Sequence, residues 1–230
     1  MLTASRAVID LRPYAAASQP TTDWLSGRAE PAFADSGATV CAIAPVGAGQ
    51  VASLPSHEFV LVVAGELSIK GANGTLVVPA GRSAVLPAGL AFGWTAPAGT
   101  MALIVASPGA PAAAAAAVLI DEKAPLTPSN PPLAALLVGP TPSCRNHTDF
   151  LSANGEFACG TWDSTPYHRR TMPYRHIELM HLLEGSVTLA EPTGSSTFGV
   201  GDIFVVTRGA ECAWISTVHV KKVYAIHRPA

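Results

Sequence analysis

His176 and Glu178 lie two residues apart, the spacing that puts both side chains on one face of a strand. With Cys212 they form a donor set of imidazole, carboxylate and thiolate that suits Zn²⁺ or a similar divalent metal. Three protein ligands would leave one coordination position open for water or a substrate. The same residues could work without metal, His176 activating Cys212 as a nucleophile while Arg175 favours the thiolate. A plainer reading stands beside both: most free cysteines are small buried hydrophobes, and His176 would then sit in the loop ahead of the strand. Tyr167, His168, Arg169, Arg170, Tyr174 and Arg175 precede Glu178 as a concentration of basic and aromatic groups. Arginine there would grip a carboxylate or phosphate bidentately, unless the stretch is a solvated loop or a subunit contact. The candidate ligand-binding set is Tyr174, Arg175, His176, Glu178, Cys212 and Trp214, and the candidate metal ligands are His176, Glu178 and Cys212.

The elements that must position these residues occur twice. Glu58, Gly65, Gly74, Gly81, Gly89 and Trp94 recur as Glu178, Gly185, Gly194, Gly201, Gly209 and Trp214 at a constant offset of 120 residues. Such a repeat without insertion or deletion predicts two copies of one domain, each near the common domain size. Short apolar runs closed by glycine, and the turn dipeptide Asn73-Gly74, predict strands and hairpins. With no amphipathic helix to cross over, each copy is expected to be an antiparallel sandwich or barrel. The expected organisation is an N-terminal arm over 1–36, a first barrel over 37–106, a Pro/Ala-rich connector over 107–150 and a second barrel over 151–230. Residues 108–144 hold eight prolines, and Leu119-Ile120, Leu133 and Leu136-Leu137 give that connector apolar side chains to pack on a barrel.

The run from Glu178 through Leu182 to Glu184-Gly185, then Gly201-Asp202 through Arg208-Gly209, then Cys212-Ala213-Trp214, resembles the two motifs of the cupin superfamily in order and spacing. Glu58 to Gly65, Gly81 to Gly89 and Phe92-Gly93-Trp94 match in the first copy. The tryptophan two residues after the second-motif ligand position is similar to the branch of ureidoglycine aminohydrolase and ethanolamine-utilisation cupins. The resemblance implies an all-β bicupin, two tandem double-stranded β-helix (jelly-roll) barrels. It also implies that Cys212 crosses beside the face carrying Glu178. In metal-binding cupins the first motif gives two His and a Glu and the second a third His; here those motif positions hold Glu58 and Phe92, and Glu178 and Cys212. No HxH occurs, and in the aminohydrolase-like pattern the remaining ligand positions fall on Met172 and Tyr174. One divalent metal in the second barrel and none in the first is the corresponding cofactor expectation. Glu58 is expected to be structural, held by hydrogen bonds because a buried unpaired carboxylate is costly. Trp94 reads as barrel packing, and Trp214 reads as the same with a place in the site wall.

Composition narrows the partners. Charged residues are 13% of the chain, 49% is hydrophobic, and the formal charge is −2, with no Lys/Arg block to attract nucleic acid or an anionic membrane. Four cysteines without CxxC pairing, and no export signal, point to reduced thiols in a cytoplasm. So low a charged share implies surface covered in an oligomer, and a homodimer is expected. The expected function is binding of a small polar or anionic metabolite in the second barrel. The alternative is a metal-dependent aminohydrolase- or isomerase-like enzyme built on the Glu/His/Cys set, and the sequence leaves turnover open.

Overall fold

The computed structural model describes residues 7–35, 37–111 and 116–229. The first six residues and Ser36 of the expected arm, the first four alanines of the run at 112–117, and Ala230 lie outside the described residues. Strands dominate, and the helices among the described residues are the short Arg12–Ala16 and a 3-10 turn at Ala134–Leu136.

Two compact units form. The first comprises Leu11–Ile120, Asp149–Cys159 and Pro229; the second comprises the described residues up to Asp10 with Asp121–Thr148 and Gly160–Arg228. The segment expected as a connector is divided between them and contributes edge strands to each: Val118–Leu119 pairs with Ser83–Leu86, Thr127–Ser129 with Cys144–Leu151, and Leu137–Val138 with Tyr167–Pro173.

In the first unit, one sheet runs Val118–Leu119, Ser83–Leu86, His57–Ala64, Met101–Ser107, Thr39–Pro45, Pro20–Thr21, with Phe33–Ala34 pairing on the side of Thr39–Pro45. The other runs Gly47–Val51, Phe92–Ala96, Glu66–Gly71, Gly74–Pro79. Strand alternation turns Val60 and Val62 inward with Leu86, Phe92, Trp94 and Ile104, and these make the barrel core. The arm joins this core: Trp24 is buried in it, its ring edge-on to Phe92 at 5.6 Å. A buried tryptophan removes about 200 Å² from water, on the order of 5 kcal/mol at the usual coefficient.

The second unit repeats the plan. Val8–Asp10, Ile203–Val206, Ile177–Glu184 and Val220–His227 continue into Phe157–Ser164, Cys144–Leu151 and Thr127–Ser129, and the second sheet holds Tyr167–Pro173, Glu211–Ser216, Val187–Glu191 and Gly194–Phe198 beside Leu137–Val138. Register confirms the repeat in space. Glu58 faces Leu86 and Ala106, and Glu178 faces Val206 and Ile226, each pair again 120 residues on. The shared turn glycines have a steric cause. Gly65 has φ 74° and Gly185 φ 77°, and a Cβ would lie 2.5 Å from Thr100 Oγ1 in one and 1.9 Å from the His219 carbonyl in the other.

The copies diverge at one point of register. Trp94 faces Gly49 and Phe92 faces Val51, whereas Trp214 faces Arg169 but Cys212 faces Met172, across a bulge between Arg169 and Met172. Bulges re-aim side chains locally, and this one lies in the strand that carries the basic residues of the candidate site. The four cysteines are buried and unbridged, and no helix among the described residues is long and apolar enough to cross a membrane.

Candidate functional site

Strand parity places Glu178 inside the second barrel in line with Met180 and Leu182, both part of its core. On the neighbouring strand Lys222 stands opposite Leu182, and its side chain also enters the barrel. Its Nζ donates to Glu178 Oε1 at 2.8 Å and to the Met180 sulfur at 3.1 Å. The ammonium lies 4.9 Å from the Trp162 ring centroid and 5.0 Å from that of Trp214, close enough for attraction to both rings. His176 Nε2 stands 3.3 Å from Glu178 Oε2. Burial pushes the Glu178 carboxyl up, but Lys222 and His176 outweigh it and hold the pKa at about 2. Glu178 is therefore ionised at neutral pH although only 7% exposed.

A wall of donors faces this ion pair's barrel. Arg169, opposite Trp214 in register, donates from Nη2 to the Cys212 carbonyl at 3.0 Å and makes a long contact of 3.5 Å to the Tyr174 hydroxyl. Its guanidinium sits 4.9 Å from the Tyr174 ring centroid. Tyr167 stacks on Trp214 at 5.8 Å, and Trp162 meets Trp214 edge-on at 6.0 Å. Two donors of this wall remain: Arg169 Nε and Trp214 Nε1 have no hydrogen-bond partner among the described residues, in side chains 7% and 2% exposed. Buried N–H groups left unpaired cost about 1–3 kcal/mol each, so native barrels rarely keep them without use.

The expected ligand-binding residues meet different fates. Tyr174, His176, Glu178, Cys212 and Trp214 lie in the barrel or at its rim, and Arg175 is exposed. The expected metal set is not assembled: among the described residues no group of three or more His, Cys, Asp or Glu side chains is placed to hold a metal ion. The physical reason is Lys222. Its ammonium takes one oxygen of Glu178 and His176 takes the other, so the carboxylate is already paired with a cation supplied by the chain. Burial also pushes the Cys212 thiol up to about 11, with Arg169 opposing. With no metal beside it, a thiol so raised stays protonated and is no ready nucleophile. These residues do not fit a metal centre.

Lys222 and Trp162 escaped the sequence reading, and Arg169 stood in it undistinguished from its basic neighbours. A signal existed for the first. Lys221 and Lys222 are adjacent in a strand, so alternation forces one of them inward.

The first barrel carries the same acid in another setting. Glu58 is 0% exposed, accepts from Trp24 Nε1 at 3.0 Å, and pairs with Arg28 Nη2. Both partners come from the arm. Here burial prevails over Arg28 and Trp24, and the carboxyl is pushed up. At the positions of Arg169, Tyr174, His176, Arg208, Cys212 and Lys222 the first copy has Gly49, Leu54, Ser56, Ala88, Phe92 and Ala102. Gly49 admits the Trp94 ring, which a Cβ there would approach to 2.8 Å. A cavity of about 220 Å³, lined by Trp24, Gln50, Val51 and Trp94, opens at this barrel, whereas Arg169 Nε and Trp214 Nε1, on facing strand positions, belong to the second. The facing pair of Arg169 and Trp214 donors, rather than volume, singles out the second barrel.

An EutQ-like cupin domain model matches residues 151–224. No curated protein gives a significant match. Among solved structures, a DUF861-family protein of unknown function from Pseudomonas syringae pv. tomato is 31% identical. It covers 89% of this chain and 88% of its own, with a TM-score of 0.83. A cupin 2 conserved barrel domain protein from Leptotrichia buccalis is 10% identical, covers 96% of both chains and has a TM-score of 0.60, a likeness of fold. Two tandem jelly-roll units, motif residues in register and a relative of this identity and coverage lead to one assignment: the chain belongs to the DUF861 family of cupins.

Proposed function

We propose that the second barrel binds a small polar or anionic metabolite and that the first barrel serves structure and assembly. The observation that carries this reading is the pair of buried, unpartnered donors, Arg169 Nε and Trp214 Nε1, on facing strand positions. Side chains opposite each other on neighbouring strands are about 5 Å apart at Cβ, so one small acceptor group can meet both. Tyr167, Trp162 and Trp214 supply the apolar wall that orients such a ligand. The rim adds half-buried His176 and exposed Arg175 and Arg208, and the two arginines are charges that draw an anion inward. The first barrel lacks this apparatus, and its acid is satisfied by its own arm.

Two further readings accompany this one. A homodimer is favoured by the low charge content together with exposed Leu133 at 74% and Val138 at 45% in the former connector. A cytoplasmic location is favoured by four unbridged thiols.

The test is a ¹⁵N NMR titration of the full chain with a panel of small polar compounds. Binding should move the Trp214 indole and Arg169 Nε–H resonances ahead of those of Trp24 and Trp94. Perturbation confined to Trp24 and Trp94, or none from any compound, would overturn the reading. Elemental analysis of protein purified without added metal complements it: a stoichiometric metal lost on Cys212→Ala would favour the metal-dependent enzyme instead.

A further inference from the structure

The ligand site just proposed contains an unbalanced charge, and this inference rests on that reading. Four Asp, Glu, Lys or Arg side chains of the second unit are buried: Asp163 at 3% exposure, Lys222 at 6%, Arg169 and Glu178 at 7% each. Lysine and arginine carry charge at neutral pH as ordinary side chains, and Lys222 spends its charge on Glu178. Arg169 has no carboxylate. Its contacts are a backbone carbonyl, a tyrosine hydroxyl and a tyrosine ring, all neutral. The nearby acids are engaged elsewhere: Asp163 pairs with Arg145 and approaches His219, and Glu191 accepts from the Ala7 amide. The remaining titratable groups around Arg169 cannot supply the missing charge, because burial raises Tyr167, Tyr174 and Cys212 and keeps them neutral. Buried charges are ordinarily paired. Asp163 is paired with Arg145 and Glu178 with Lys222, which leaves Arg169 as the buried cation without a carboxylate, beside the two N–H groups that are short of acceptors.

We infer that the second barrel is built for a monoanion with at least two acceptor oxygens, such as a monocarboxylate, bound to Arg169 and Trp214 without any metal, Lys222 providing the cation. Arg169 Nε–H and Trp214 Nε1–H donate to the anion, and its charge balances the guanidinium. A dianion would bring one charge too many, a neutral amide would leave Arg169 unpaired, and an ammonium would meet like charge.

Calorimetric titration and thermal melting of the full chain in excess EDTA test this with propionate, propionamide, succinate and propylammonium. Propionate should raise the melting temperature and bind at least about tenfold more tightly than propionamide or succinate, as a charge-assisted contact implies. Propylammonium should have no effect, and EDTA should not weaken propionate binding. Arg169→Leu should abolish the binding. Trp214→Phe, which keeps the aromatic wall, should weaken it several-fold and serves as the readout if the arginine variant fails to fold. Equal binding of propionamide, preference for succinate, or loss of binding in EDTA would overturn the monoanion inference while leaving a ligand site in place. No binding by any of the four, with Trp214 unmoved, would overturn the site itself.

Discussion

Glu58 and Glu178 occupy the same position on the same strand of two copies of one barrel, yet their surroundings drive them in opposite directions. In the first barrel the cation arrives from outside the repeat, as Arg28 of the arm, and desolvation still raises the carboxyl. In the second the cation is built into the barrel as Lys222, at the position of Ala102, and Glu178 is held at about 2. Both copies lack the histidines of a metal cupin, and each meets the inherited acid with a cation from its own chain. The two cations differ in effect: Lys222 outweighs the burial of Glu178, whereas Arg28 does not outweigh that of Glu58. Only the second solution leaves Arg169 and Trp214 with donors to spare, since Trp94 in the first barrel packs over Gly49.

The largest expected effect lies in the second barrel. Lys222→Met leaves Glu178 a buried carboxylate with His176 as its remaining partner and should cost about 3–5 kcal/mol in urea unfolding. Adding Glu178→Leu should recover most of that loss, because an apolar pair of similar volume commonly replaces a buried ion pair at little cost. Equal loss in the single and double variants would mean that Lys222 matters for packing alone.

Next comes acid. Because the folded-state pKa of Glu178 lies below its ordinary value of 4.5, its contribution is full above about pH 4.5 and falls away toward pH 2. The shift corresponds to about 3 kcal/mol. Denaturation followed through this window should show the loss in wild type and not in Glu178→Gln; parallel profiles would contradict the assignment. In the first barrel, Trp24→Phe keeps most of the ring and removes the N–H that meets Glu58, for an expected loss of about 1–3 kcal/mol. Glu58→Gln should have the smallest effect, within about 1 kcal/mol at neutral pH. The sign for Glu58 is reversed: a raised folded-state pKa favours the protonated form, so its contribution is present below 4.5 and declines as pH rises through the folded value. A large loss in Glu58→Gln at pH 7 would show that the Arg28 pair outweighs desolvation.

Most of the fold was legible in the sequence because glycines at positive φ and inward-facing positions are fixed by backbone geometry, and they recur at one offset. The candidate site was legible in part. Glu178 and Cys212 stand at inward positions as the motifs imply, and His176 reaches Glu178. Motif positions name candidate ligands and not their competitors, so the pairing of Glu178 with Lys222 could not be read from them. Lys222 is far from Glu178 in sequence, and its entry into the barrel depends on strand parity and the register with Leu182. Arg28 and Trp24 were hidden for another reason, since the arm that carries them has no motif of its own. The bulge between Arg169 and Met172 was equally invisible, because the chain returns to the common offset at Tyr174, whose backbone pairs with Gly209 as Leu54 pairs with Gly89.

The central claim, one acid position in two opposite electrostatic settings, is tested most directly by ¹³C NMR titration of the glutamate side-chain carboxyls. Glu178 should remain ionised to about pH 2 and rise toward its ordinary value in Lys222→Met, while Glu58 should titrate above 4.5. Glu58 and Glu178 titrating together, or Glu178 unmoved by the loss of Lys222, would contradict the account.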